Sequence, residues 1–180
     1  STIDKSPSKK TSYYGYSTGG MRGMVYKSYS TIIGAVAWSA KKNTHVFLIN
    51  DPRQRNAYSH TTANHVWWLS GAIPANKIKV PISLPFESYP IDKYCVSCRD
   101  ERHVVSREDI KRLASKAVEQ LQEKEWTGSK RFSLKQNRMD WLHEFENLKS
   151  LVEVFGYANT VSKSKIKTLE KIEARLKSWV

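Results

Sequence analysis

The sequence predicts an α+β protein: an N-terminal antiparallel β-hairpin-based domain with one short helix, then a C-terminal antiparallel three-helix subdomain. Three observations predict it. β-branched and aromatic residues crowd two early runs, prolines recur at 74, 81, 85 and 90, and from Ser106 the apolar spacing changes from a strand period to a helical one. The implied division is a basic, Gly/Tyr-rich arm over 1–23, a β-rich domain with a Pro-rich connector over 24–94, and the helical subdomain over 95–180.

In chain order, residues 1–12 are polar and carry Lys5, Lys9 and Lys10, the composition of a flexible basic terminus. Tyr13-Tyr14-Gly15-Tyr16, followed by Gly19-Gly20 and Arg22, suits either an edge strand with a glycine turn or a segment that stacks on bases. Met24 to Ala40 reads as one strand through Val25, Tyr26, Tyr29, Ile32, Ile33, Val36 and Trp38, with apolar residues at both parities that imply two covered faces. Lys41-Lys42-Asn43 turns it into a second strand, Thr44 to Asn50, which Asn50-Asp51-Pro52 stops. After the basic loop Arg53-Gln54-Arg55-Asn56, a hydroxyl of Ser59-His60-Thr61-Thr62 is placed to cap a helix of about two turns. Gly71 stands at its expected C-terminal cap, and Val66, Trp67 and Leu69 are expected to pack on the hairpin. Proline density over 72–94 excludes a helix there and leaves an edge strand or connector.

Three amphipathic helices follow. Ser106, with Glu108 and Asp109 in the first turn, opens one whose stripe runs Ile110, Leu113, Ala114, Ala117, Val118 and Leu121 to about Trp126. Ser133 with Gln136 resembles a capping box for a second, striped by Trp141, Leu142, Phe145, Leu148, Val152 and Phe155 and ended by Gly156. The third starts near Ser162, with Ile166, Leu169, Ile172, Leu176 and Trp179 as its seam. Its lysines fit a solvated face.

Charge narrows function. The chain carries 30 Lys and Arg against 17 Asp and Glu, a net +13, and residues 1–70 alone hold net +7. Cations without matching acids concentrate polyanions and contact phosphates, so the first 70 residues form the expected polyanion face. No apolar run has the length of a membrane span and the beginning of the chain has no apolar signal core, so a soluble protein with no membrane partner is expected. Two cysteines are too few for a disulfide scaffold, which places it in a cytosol. Cys95 and Cys98 with His103 give the one metal-like spacing; zinc would need a fourth ligand that the neighbourhood does not supply, so no cofactor is expected.

Three patterns bear on catalysis. His60-Thr61-Thr62 is a single copy of a motif that the 2H phosphoesterases need twice. Arg138 and His143 are spaced as in HEPN ribonucleases, on a helix that Trp141, Leu142 and Phe145 already explain as core. Tyr58, Ser59, His60, Thr62 and His65 gather acid–base groups with no carboxylate nearby in sequence. A non-enzymatic protein is the expected outcome, with no catalytic residue assigned.

Tyr29-Ser30-Thr31-Ile32-Ile33, Val46-Phe47-Leu48-Ile49-Asn50 and Tyr58-Ser59-His60-Thr61-Thr62-Ala63-Asn64-His65 resemble the signature of small accessory proteins of phages and mobile elements, over about a fifth of the chain. Trp67-Trp68 and the long helical extension depart from that pattern. The resemblance implies a phage-like source and a setting in a host cytoplasm, and no agreed activity. With the charge, it leads to the expectation of nucleic-acid binding. Lys9, Lys10, Arg22, Lys41, Lys42, Arg53 and Arg55 would meet phosphates, and Tyr13, Tyr14 and Tyr58 would stack. The alternatives are an inhibitor of a host defence complex such as a CRISPR ribonucleoprotein, and a ribonuclease or phosphoesterase.

Overall fold

The computed structural model describes residues 11–14, 25–28, 31–54, 58–83, 107–126 and 132–179. It has the α+β architecture expected, in two compact units, Ser1–Asp109 and Ile110–Val180. The boundary expected at 94/95 lies outside the described residues.

The first unit is a five-stranded sheet in the order β1-β2-β3-β4-β5, formed by Thr11–Tyr14, Val25–Ser28, Thr31–Ser39, Thr44–Asn50 and Ile78–Ile82. The segment expected as a single strand from Met24 is two. Ser28 sits opposite Thr31, and Tyr26 pairs with Gly34 while Lys27 pairs with Ile32, which leaves Ile33 as an extra residue in a bulge. Strand-forming side chains on both sides of Tyr29-Ser30, with no Gly, Pro or Asn between them, hid this reversal. Part of the expected arm is also sheet, since β1 pairs antiparallel with β2 and places Tyr13 opposite Tyr26. The β3–β4 hairpin forms as the sequence implies, with Asn43 in the left-handed conformation (φ 51) that a tight turn asks of Asn or Gly.

β4, helix α1 (His60–Ala72) and β5 make a parallel crossover, so the sheet is mixed rather than purely antiparallel. Pro81 is accommodated because β5 is an edge strand. Helix α1 is longer than two turns and passes through Gly71. It stops at Ile73, held extended (φ −71, ψ 125) ahead of Pro74, because a residue before proline is pushed out of the helical region.

One face of the sheet packs on α1 through Tyr26, Ile33, Val36, Phe47 and Ile49 against Val66, Leu69 and Ile73. The approach is close at Gly34, where a Cβ would stand 2.8 Å from Leu69 Cδ2 and 3.2 Å from the Leu48 carbonyl oxygen. The opposite face, with Ala35, Ala37, Val46, Leu48, Val80 and Ile82, is buried as well, which accounts for apolar residues at both parities in β3 and β4. Trp67, expected in this core, is 61% exposed.

The second unit holds helices α2 (Arg107–Trp126), α3 (Lys135–Phe155) and α4 (Lys163–Lys177). The stripes fall inward as their spacing requires: Ile110, Leu113, Ala114, Val118 and Leu121 on α2, Trp141, Phe145, Leu148, Val152 and Phe155 on α3, Ile166, Leu169, Ile172 and Leu176 on α4. Trp179, expected to close the last seam, is 46% exposed beyond the helix end. The N-cap of the second helix is not the serine expected there. Leu134 occupies the N-cap of α3 without a side-chain bond, and Gln136 Nε2 donates instead to Asp140 Oδ1 at 2.8 Å. Ser162 does cap α4, accepting from the Lys165 amide, and Gly156 (φ 85) closes α3 by donating to the Val152 carbonyl. Lys124 of α2 pairs with Glu144 of α3, and Lys149 of α3 with Glu173 of α4 at 2.7 Å.

Candidate nucleic-acid interface

The two ends of β4 have opposite chemistry. At its C-terminal end, Ser28 at the end of β2, Asn50-Asp51 and the start of α1 come together. Ser59 Oγ accepts from the Thr62 amide at 3.2 Å and so caps α1. Ser59 and Ser28 hydroxyls both donate to Thr62 Oγ1 at 3.1 Å. Ser28 Oγ also shares a 2.6 Å hydrogen bond with His65 Nδ1. Ser28 is fully buried and His65 almost so, which leaves no approach for a substrate. This cluster is a polar pin between β2 and α1.

Beside it, Arg53 forks onto Asp51, with Nε to both carboxylate oxygens at 3.0 and 3.1 Å, Nη2 to Oδ2 at 2.9 Å, and its own amide to Oδ1 at 2.9 Å. Asp51 is 1% exposed and Arg53 40%. A buried carboxylate held this way is a structural pair, and the arginine charge is largely matched. Arg53→Ala is expected to lower stability by about 1–2 kcal/mol in urea unfolding. It should leave nucleic-acid affinity unchanged, because this end lies roughly 20 Å along β4 from the hairpin turn.

The other end is cationic and aromatic. Lys41 and Lys42 stand exposed in the β3–β4 turn, next to Trp38, which is 48% exposed on the last full turn of the pleat of β3. Trp38 pairs across the hairpin with His45, and their rings meet edge-on, 4.9 Å between centroids at 73°. The parallel crossover then returns the chain to the same end, where Ile78 pairs with Val46. This brings exposed Lys77 and Lys79 alongside, and Lys79 Nζ donates to the Ser70 carbonyl of α1 at 3.2 Å. The alternation of β3 and β4 puts Trp38, His45 and Lys79 on the α1 side of the sheet. Among the described residues between 11 and 83 the only carboxylate is Asp51, at the far end and already matched.

Of the residues expected to bind nucleic acid, the structure thus keeps Lys41 and Lys42 together and sets Arg53 apart from them. Tyr58 is half-buried just before the α1 cap. Tyr13 and Tyr14 are in β1, and Lys9, Lys10, Arg22 and Arg55 lie outside the described residues, as do Cys95, Cys98 and His103. Trp38, Lys77 and Lys79 were not expected at the site. The isolated tryptophan beside a lysine turn was a legible signal; the lysines were not, since only the crossover brings them there. Among the described residues no three His, Cys, Asp or Glu side chains gather to hold a metal ion, and no helix is long and apolar enough to cross a membrane. Of the ribonuclease-like and phosphoesterase-like patterns, His60 is exposed against Asn64, and Arg138 Nη1 donates to the Phe132 and Ser133 carbonyls at the start of α3. Comparison with known protein families, with curated proteins and with solved structures finds no match to this chain.

Proposed function

We propose that this chain is a phage-like accessory protein, acting in a host cytoplasm without catalysis of its own, that binds nucleic acid through the hairpin end of its sheet. One observation carries the reading: exposed Lys41, Lys42, Lys77 and Lys79 stand at the same end of the sheet as Trp38 and His45. Four ammonium groups around exposed aromatic surface supply phosphate contacts and a place for bases, and such binding weakens with salt by counterion release. In a mobility-shift titration, log K against log salt is expected to fall with a slope of roughly −3, at about −0.7 per phosphate contact on a single strand. Replacing the four lysines by glutamate should abolish the shift at every salt concentration, and an unchanged affinity rejects the assignment.

A second reading, inhibition of a host defence complex such as a CRISPR ribonucleoprotein, is favoured by Trp67 and Trp68, 61% and 37% exposed on α1. Exposed tryptophans are the anchors that protein interfaces bury at their centres. Capture of a host ribonucleoprotein that survives nuclease treatment and is lost in Trp67→Ala supports this reading; capture that nuclease abolishes supports the first.

A further inference from the structure

Resting on the reading of the hairpin end as a polyanion surface, we propose that its substrate class is single-stranded nucleic acid, with Trp38 as the platform on which an unstacked base lies. The argument is geometric. A lysine surface meets phosphates on a duplex or a single strand alike, because both present the same backbone anions. An exposed indole is different, since the flat faces of duplex bases are already occupied by their neighbours and only a single strand offers one to a side chain.

Trp38 is arranged to take it. It stands on a nine-residue strand, paired on its inner side with β4, so its Cα is fixed by the sheet. The edge-on contact with His45 restrains the indole further, while 48% of its surface stays open. A platform ordered before binding loses little side-chain entropy when a base covers it. Cations lie beyond it and to one side. Lys41 and Lys42 follow Trp38 by three and four residues in the β3–β4 turn, and Lys77, just before β5, and Lys79, within it, stand two strands and about 10 Å away across the sheet. A strand running from Trp38 across β4 to β5 would bring the phosphates on one side of the stacked base over these lysines.

The test is fluorescence anisotropy with a labelled oligothymidylate, an oligouridylate and a duplex of the same length, on the full chain. The parent is expected to bind the single strands more tightly than the duplex. Trp38→Ala should weaken single-strand binding about 5- to 100-fold, the range set by loss of one base–aromatic stack, and keep the salt slope because the lysines remain. Trp38→Phe should recover most of the loss. Circular dichroism on each variant confirms that the sheet persists. If Trp38→Ala binds single strands as the parent does, or the duplex binds as tightly as the single strands, the inference is overturned while the lysine-dependent salt slope upholds the broader reading. If the four-lysine variant also binds unchanged, that reading falls with it.

Discussion

Trp141→Ala is expected to be among the most damaging single changes in the molecule, lowering unfolding stability by about 3–5 kcal/mol. Trp141 is completely buried, the largest side chain to be so among the described residues. Its ring lies 5.4 Å from that of Phe145, over which Lys149 Nζ stands at 4.8 Å, and its indole Nε1–H donates to the Leu121 carbonyl of α2 at 3.1 Å. The substitution removes a large apolar surface, opens a cavity too deep in the helical unit to collapse, and takes away a donor that ties α3 to α2. Trp141→Phe separates these contributions, since it restores most of the volume but not the donor, and should cost about 1–2 kcal/mol. Urea unfolding of both variants measures the difference through the midpoint at constant slope. A loss below about 1 kcal/mol for the alanine variant would mean that the helical unit is not built around this side chain.

That stripe, with its four-residue rhythm from Trp141 through Phe145, was plain in the sequence, because helical periodicity is a local property and amphipathic faces report directly on burial. The same holds for Thr44–Asn50, which is a strand over the span its composition implies, and for the Ser59 and Ser162 caps. What the sequence concealed depends on contacts between distant segments. Apolar residues at both parities in β3 gave no means of telling that Trp38 lies past the reach of the apolar cluster under α1, whose contribution from that strand ends at Val36. Lys77 and Lys79 belong to a stretch, 71–105, whose net charge is only +1, and counting along the chain discounts them. The parallel crossover places them beside the hairpin turn and converts a near-neutral connector into half of a cationic surface. Arg53 illustrates the reverse. Read in a basic loop it is a phosphate ligand, yet two residues away a buried carboxylate engages it.

His65→Ala is expected to destabilise the sheet unit by about 3 kcal/mol, and the way that loss combines with Ser28→Ala distinguishes a structural pin from a reacting pair. The imidazole is 2% exposed, lies 5.6 Å from Trp68 between ring centroids, and shares a hydrogen bond with a serine that is itself fully buried. Removing it leaves a void, and deprives Ser28 of a buried hydrogen-bond partner; each effect is worth about 1–3 kcal/mol. Ser28→Ala removes less volume and should cost about 1–2 kcal/mol, its main consequence being the loss of bonds to His65 and Thr62. Because both changes break the same contact, the double variant should lose less than the sum, with a coupling of about 1 kcal/mol that urea unfolding resolves. Neither change should alter affinity for an oligonucleotide, since the cluster and the lysine turn lie at opposite ends of β4. A His65→Ala protein as stable as the parent would show that α1 does not need this bond to hold its place on β2. An oligonucleotide affinity that fell with it would move the functional centre of the molecule from the exposed hairpin end to the buried hydroxyls at the start of the helix.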